Sequence, residues 1–249
     1  MAYLVGAISD KGNVRENNED NILLCKAVYE EQEALLAVVA DGMGGLAFGE
    51  YASSCVIKGL RNWWQHQFLA GKQELSLVSI KDTLEFVVEQ IHETIKEMAE
   101  QSHSSMGTTV SVIFLYGMEY VLLQVGDSRV YQICKKEIRQ LTIDQTWCQD
   151  EVAAGRMTQE EATMHIKRHV LSNALGANRP FFIKSSMGTV QKKDRLLLCS
   201  DGYYSYIQEK ELFRRCFQKN LQIILERSAE RIKKGRAEDN LSAILIEIV

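Results

Sequence analysis

The stretch from Leu35 to Gly45, LLAVVADGMGG, constrains the fold of this 249-residue chain more than any other. Six apolar or small residues lead directly into Asp41, and glycine follows. A short continuous apolar run bounded by glycine predicts a buried strand. Gly42 is free to adopt a backbone conformation that other residues avoid. The pattern therefore predicts a carboxylate fixed where a strand leaves the core, beside a carbonyl oxygen that a hard cation can approach.

Blocks of helical and strand periodicity follow one another along the chain. Apolar residues recur every three or four positions over 52–68 and 77–98, which predicts two helices that pack as an antiparallel pair. Short β-rich runs over 106–141 indicate sequential antiparallel strands. Further strands are expected at 3–8, 22–28, 181–190, 195–200 and 241–249, and further helices at 208–217 and 221–234. Grouped strands with paired helices indicate an α+β fold, in which stacked antiparallel sheets are covered by helices.

Residues 144–178 differ from their surroundings because they are polar, with small apolar clusters. Within them, Thr158 and Glu161 form a T-x-x-E capping box, which predicts the start of a short helix. We interpret this segment as a lid, or flap, on one rim of the fold. The chain has one proline and no Ser/Gly-rich linker, so we expect a single domain over residues 1–249.

Composition limits the classes of partner and the compartment. A formal net charge of -4 without a Lys/Arg block argues against a nucleic-acid binder. No run approaches the roughly 18 apolar residues of a membrane span, and no signal peptide is evident. The six cysteines form no C-x-x-C pair, which argues against zinc-ribbon or thioredoxin chemistry and indicates a reducing compartment. We therefore expect a cytoplasmic enzyme or regulator.

Four aspartates recur at the ends of apolar runs or just before the last one: Asp41, Asp127, Asp201 and Asp239. Carboxylates gathered at one rim would raise one another's pKa, and divalent cations are the usual compensation. Ligands that are all oxygen favour magnesium, manganese or calcium. Each aspartate alone is equally typical of a turn, Asp127 most of all. Their joint recurrence favours a metal site.

An upstream polar stretch, SDKGNVRENNED, places Arg15 shortly before Glu19 and Asp20. The guanidinium is a planar fork of donors that suits a phosphate group. The alternative is a solvated turn with local ion pairs of little energetic consequence. The spacing leaves both interpretations open.

Seven motifs in order resemble those of the metal-dependent PPM protein phosphatases, also called type 2C. They are SDKGNVRENNEDN, VVADGMGG, MGTTVSVIFL, VGDSRVYQI, LTIDQT, LLLCSDG and EDNLSAILI. The resemblance extends from Ser9 to Ile246 and is strongest to the bacterial branch. It implies a β-sandwich of two sheets flanked by helix pairs. It also implies hydrolysis of phosphoserine and phosphothreonine on proteins by a water activated by two Mn²⁺ or Mg²⁺ ions, without a phosphoenzyme.

The same resemblance implies a role for individual residues. The ligands of the two ions would be Asp41, the carbonyl of Gly42, Asp201 and Asp239, and a third, weaker ion would bind Asp127. Arg15 would bind the phosphate group. Residues that orient the waters around the ions would be Glu19, Asp20, Asn240 and, less directly, Thr109. A cognate Ser/Thr kinase is a further expectation, since it would supply the phosphorylated proteins.

The sequence departs from the family at positions where members carry histidine, here Met43, Leu46 and Gln145. The acid that protonates the leaving group is therefore unassigned, and His165 and His169 of the lid are weak candidates. These departures also motivate a non-enzymatic alternative, a pseudophosphatase that keeps the fold for binding. Retention of the four aspartates and of the arginine argues against that alternative.

A second alternative is a cysteine-dependent phosphatase, because Cys55 and Arg61 satisfy C-x5-R. That chemistry needs a thiolate of lowered pKa in a loop whose backbone N–H groups surround phosphate. Both residues fall inside the helical pattern of 52–68, where those amides are already hydrogen-bonded. The sequence thus disfavours this alternative.

Overall fold

Two antiparallel β-sheets form the centre of the structure, a computed structural model that describes residues 1–43, 48–71, 76–177, 181–207, 211, 213 and 220–249. The strands are β1 (Tyr3–Asp10), β2 (Asp20–Tyr29), β3 (Gln32–Met43), β4 (Gly107–Thr108), β5 (Val110–Tyr116), β6 (Glu119–Val125), β7 (Arg129–Ile133), β8 (Ile138–Gln140), β9 (Lys184–Thr189), β10 (Arg195–Cys199) and β11 (Leu241–Ile248). One sheet has the order β1-β11-β10-β7-β8. The other has the order β2-β3-β5-β6-β9, with β4 paired to β3.

The helices of the described residues are α1 (Phe48–Trp63), α2 (Leu77–Gln101), α3 (Trp147–Ala153), α4 (Gln159–Met164), α5 (Asp201–Tyr204) and α6 (Leu221–Lys234). The helix predicted over 52–68 is an α-helix that ends in a π-helical turn, Trp64–Phe68. The helix predicted over 208–217 falls outside the described residues, apart from two isolated positions. None of the helices in the described part of the chain has both the length and the apolar character needed to span a membrane.

Both faces of β3 are buried, which explains why its sequence is continuously apolar. Leu36 and Val38 share a hydrophobic core with α1 and α2. Leu35 and Val39 point the other way and pack with Ile244 of β11, in the opposite sheet. A strand between a helix layer and a second sheet has no solvent face, so the usual alternation of apolar and polar residues is lost. The prediction of a buried strand before Asp41 is confirmed.

The outer face of the other sheet is covered by α6. Leu225 and Ile232 of α6 form a third core with Leu197 of β10 and Leu245 of β11. The layers therefore run helix, sheet, sheet, helix. This arrangement confirms the α+β fold of two antiparallel sheets flanked by helices.

The strands predicted over 106–141 do not form one sequential sheet. β5 pairs with β6 in one sheet, whereas β7 pairs with β8 and β10 in the other. The chain crosses between the sheets at 126–128, where Gly126 has φ +97°. Only glycine adopts such a φ without strain, so this position fixes the crossing. The crossing places Asp127 at the end of both sheets.

The lid contains the predicted start of a helix and is hydrogen-bonded to the sheet where its chain returns. The predicted capping box is present, since Thr158 Oγ1 accepts from the Glu161 amide (3.2 Å) and Glu161 Oε2 accepts from the Thr158 amide (2.8 Å). The returning segment pairs with the sheet, because Leu175 and Thr108 exchange backbone hydrogen bonds of 2.9 and 3.1 Å. The lid thereby returns to the core beside the end of β3.

Candidate active site

A cavity of about 800 Å³ opens at the end of the two sheets where β3 stops. Six carboxylates and one arginine are among its lining residues, which are Arg15, Glu16, Asn17, Glu19, Asp41, Gly42, Met43, Thr109, Asp127, His169, Leu171, Asp201 and Asp239. All four recurrent aspartates and Arg15 are therefore brought together, although up to 224 positions separate them in the sequence. The strong excess of negative charge is the electrostatic signature of a cation site.

Thr109 fixes the backbone on which Asp41 is carried. Its hydroxyl accepts from the Asp41 amide (3.1 Å), and its own amide donates to the Asp41 carbonyl (2.9 Å). The same hydroxyl is hydrogen-bonded to the Ser128 hydroxyl (2.7 Å), next to Asp127. Thr109 thus links the segments that carry two of the predicted metal ligands. Since Asp41 is held by its backbone, its carboxylate is free for a ligand.

Asp20 and Asp41 are directly opposite one another on the paired strands β2 and β3. Asp20 is 4% exposed; its Oδ2 accepts from the Ser200 hydroxyl (2.8 Å), and its buried Oδ1 has no hydrogen-bond partner in the described structure. Burial, with smaller contributions from neighbouring aspartates, raises the pKa of Asp20 to about 7. Burial and repulsion by Asp20 also raise the pKa of Asp41 well above its usual value. A buried carboxylate oxygen without a hydrogen-bond partner, beside a second carboxylate that lines the cavity, fits a bound hard cation.

We expect the metal-free protein to become less stable as the pH rises from about 5 to about 7. The pKa of Asp20 is 3.8 in the unfolded reference and about 7 in the folded protein. Over this interval the folded state therefore holds more protons than the unfolded state, and the free energy of unfolding falls with pH. Urea unfolding of chelator-treated protein at several pH values measures this slope.

The variant Asp20→Asn is the control for this measurement. Burial lowers the pKa of His92, which gives a slope of opposite sign in both proteins. The difference between wild type and Asp20→Asn cancels that contribution. Wild type should lose stability relative to the variant as the pH rises, and parallel curves would contradict the prediction.

Gly42 does not have a positive φ, so the conformational freedom that the sequence offered at this position is not used. Glycine is required here because the backbone is crowded. An added Cβ would lie 2.2 Å from the Gly49 carbonyl oxygen and 2.6 Å from that of Glu19. These contacts bring the start of α1 and the Glu19 backbone against the residue that follows Asp41.

Arg15 lies at the mouth of the cavity and forms an ion pair with Asp239, with 2.8 Å between Nη2 and Oδ2. The hydrogen bond to Asp239 raises the pKa of Arg15. The two side chains are 51% and 38% exposed. An ion pair this exposed adds little to stability, so its main effect is to orient the guanidinium towards the cavity.

Asn240 holds the segment that carries Arg15 and Glu19. Its Oδ1 accepts from the Glu19 amide (2.8 Å), and its Nδ2 donates to the carbonyls of Lys11 (3.0 Å) and Asn17 (2.9 Å). Its amide is thus engaged by backbone groups from two turns. Burial raises the pKa of Glu19, whose side chain lines the cavity.

The sequence provides only a weak indication that His169 belongs to this site. The lid carries it over the cavity, where its Nδ1 lies 3.3 Å from Asp201 Oδ2. An isolated histidine in a polar segment, 32 positions before Asp201, gives no periodicity or spacing from which this proximity could be predicted. The other lid histidine, His165, instead packs on the Trp147 ring, with 5.2 Å between ring centroids.

The positions that depart from the family pattern differ in their surroundings. Met43 lines the cavity. Gln145 is buried, and its Oε1 accepts from the Gly126 amide (2.7 Å) and from Asn173 Nδ2 (2.8 Å). Gln145 therefore supports the turn that carries Asp127. Leu46 lies outside the described residues.

Cys55 is not placed for nucleophilic catalysis. It lies inside α1, and its Sγ is 3.6 Å from Met98 Sδ. Burial raises the pKa of the thiol, so the thiolate is disfavoured at neutral pH. Arg61 lies two turns of helix away and is exposed. The structure thus argues against the cysteine-dependent alternative.

The sandwich fold and the acidic cavity at its end are the features of an enzyme that uses divalent cations. The family model "Protein phosphatase 2C" matches residues 13–245. The chain belongs to the protein phosphatase 2C family.

Individual relatives are similar over nearly the whole chain. The serine/threonine phosphatase stp of Listeria monocytogenes is 29% identical over 96% of this chain and 93% of its own length. The serine/threonine phosphatase PstP/Ppp of Mycobacterium tuberculosis superposes with a TM-score of 0.86 at 30% identity, covering 100% of this chain and 99% of that one. The catalytic domain of PstP in complex with two manganese ions superposes with a TM-score of 0.82 at 29% identity, covering 99% and 98%.

Proposed function

We propose that the cavity hydrolyses phosphoserine and phosphothreonine on proteins. Two Mn²⁺ or Mg²⁺ ions would be held by Asp41, the carbonyl of Gly42, Asp201 and Asp239, with Asp127 at a third ion. The observation that carries this proposal is the pair of buried Asp20 and Asp41 opposite it, which has no described cation partner and of which Asp41 lines a solvent-accessible cavity. The relative with two manganese ions supports the same number and kind of ion.

Individual residues of the chain have different proposed roles around the substrate. When bound, the ions would lower the pKa of water and withdraw charge from the phosphate group. Arg15 stands at the mouth, where its fork of donors can bind two non-bridging oxygens of the phosphate. Glu19 and Asp20 provide acceptors that orient water within the cavity. Thr109 and Asn240 hold the segments that carry these groups.

Phosphorylated proteins are the substrates that follow from family membership. We further propose a cognate Ser/Thr kinase as the source of those proteins, and a cytoplasmic location, because the five described cysteines are free thiols, as in a reducing compartment. The net charge of -4 supports a protein substrate rather than nucleic acid. We also propose that residues 1–249 act as one domain, with 144–178 as its lid.

Removing the divalent ions tests the proposed reaction. A phosphothreonine peptide should be hydrolysed in Mn²⁺ or Mg²⁺, and a chelator should lower the rate by at least about 100-fold, because several kcal/mol of transition-state stabilisation would be lost. Excess Mn²⁺ should restore the rate, and Cys55→Ser should behave as wild type. Phosphate release is the measurement.

Two outcomes would contradict the proposal. Hydrolysis that survives chelation and is lost in Cys55→Ser would support a cysteine nucleophile. Binding of Mn²⁺ without hydrolysis would support the pseudophosphatase, an alternative that the residues at Met43 and Gln145 keep open. Mn²⁺ binding is measured separately, by calorimetry.

A further inference from the structure

Three side chains from different parts of the fold converge beside the proposed two-ion site. They are Asp127 of the turn between the sheets, Asp201 at the start of α5, and His169 of the lid. One donor atom from each residue lies within 4.8 Å of the others, a separation that a single ion can bridge. Two carboxylates and one imidazole are a typical set of ligands for a first-row divalent metal.

Asp127 is a buried acid that lacks a cation partner among the described residues. It is 4% exposed and forms no ion pair with a described side chain, and it lines the cavity. The nearby Arg129 is already engaged by Asp144, with 2.7 Å between Nη2 and Oδ2. A buried carboxylate in this position is costly unless a cation lies next to it.

The position of His169 relative to Asp127 is fixed by a short set of hydrogen bonds. The residue after His169, Val170, accepts through its carbonyl from the Trp147 amide (2.8 Å). Gln145 lies two positions before Trp147 and exchanges hydrogen bonds with Gly126, which precedes Asp127. The segment around His169 and the turn that carries Asp127 are therefore both hydrogen-bonded to the same short stretch, residues 145–147. His169 itself is 43% exposed and carries no other described side-chain bond than the contact with Asp201.

We propose that His169 is a nitrogen ligand of the third ion, which it binds together with Asp127 and Asp201. This inference rests on the proposed function and adds a residue of the lid to the proposed metal ligands. The proposed ligands of the other two ions are all oxygen. A site with an imidazole favours Mn²⁺ over Mg²⁺, whereas oxygen ligands accommodate both. Binding of the third ion would fix the lid over the cavity, so Mn²⁺ would order a segment that Mg²⁺ leaves freer.

Pulsed electron paramagnetic resonance of Mn²⁺-loaded protein tests the nitrogen ligand directly. Wild type should show the hyperfine coupling of a directly bound imidazole nitrogen. His169→Ala should abolish that coupling, while the matched lid variant His165→Ala should retain it. Because the two other ions have oxygen ligands in this scheme, the signal reports on the third ion alone.

The variant His169→Asp tests the nitrogen ligand separately from the binding of a third ion. It keeps a donor at this position, so calorimetry should still find a third Mn²⁺, without the nitrogen coupling. Hydrogen–deuterium exchange should show slower exchange of residues 165–171 in Mn²⁺ than in Mg²⁺ for wild type, and no such difference for His169→Ala.

Two results would overturn the inference: no nitrogen coupling in wild type saturated with Mn²⁺, or an unchanged coupling in His169→Ala. Both are distinguishable from a failure of the proposed function. Metal-dependent hydrolysis without nitrogen coupling would remove the role of His169 alone. Nitrogen coupling without any hydrolysis would leave the role of His169 and remove the proposed reaction.

Discussion

Replacing Asp41 with asparagine is expected to lower kcat/KM for a phosphothreonine peptide by at least about three orders of magnitude. Asp41 is a proposed ligand of the two ions, so its loss would remove charge stabilisation of several kcal/mol, and each 1.36 kcal/mol corresponds to about tenfold in rate. Asparagine keeps the shape of the side chain. The backbone bonds to Thr109 do not involve the carboxylate, so they should remain.

Stability measurements separate loss of the ions from loss of the fold. In the metal-free protein, Asp41→Asn removes the repulsion between this carboxylate and that of Asp20 opposite it, and the melting temperature should rise. In wild type, Mn²⁺ should raise the melting temperature because it binds the folded state, and in the variant this increase should be much smaller. Thermal unfolding with and without Mn²⁺ measures both effects.

Asp127→Asn is the matched control for Asp41→Asn. It also removes a carboxylate from the cavity, but the residue belongs to the proposed third ion. It should therefore reduce the rate less than Asp41→Asn does. A variant at Asp41 that kept near wild-type activity in Mn²⁺, or that melted below metal-free wild type, would contradict the role assigned to this residue.

Local patterns were sufficient for the elements of the fold and for the position of Asp41. The apolar run before Asp41 is buried on both faces, and the capping box at Thr158 begins α4, because each depends on neighbours in the sequence. The division of strands between the sheets could not be predicted in the same way. β6 and β7 have similar patterns, and their separation depends on pairing with β9 and β10, which come much later in the chain.

Single residues of the site were likewise predictable only where a local sequence motif identifies them. The ordered motifs identified the aspartates and Arg15, and the structure places them in one cavity. The reason for glycine at position 42 was not predictable, because it depends on the carbonyl of Gly49, which only the folded helix α1 brings close. The proximity of His169 to Asp201 likewise depends on how the lid returns to the sheet. Contacts between distant segments are set by tertiary packing, and no periodicity records them.

Replacing Arg15 with alanine is expected to lower kcat/KM by about 100- to 1000-fold, the usual effect of removing one preorganised donor to developing charge. Arg15 is the one arginine among the described residues that line the cavity, and its bond to Asp239 directs it there. Lysine should recover only part of the rate, because it keeps the charge and loses the planar fork. The half-exposed ion pair with Asp239 adds little stability, so the melting temperature should change little.

Arg236→Ala is the matched control for Arg15→Ala. Arg236 is also a surface arginine close in sequence to Asp239, but it pairs with Glu238 (3.2 Å) and does not line this cavity. Its removal should leave kcat/KM near the wild-type value. Calorimetry should find that Mn²⁺ binds Arg15→Ala as tightly as wild type, since a phosphate-binding residue contributes nothing to the ions themselves. If affinity for Mn²⁺ fell in proportion to the rate, Arg15 would act by holding Asp239 in place, and its assignment to the phosphate group would be wrong.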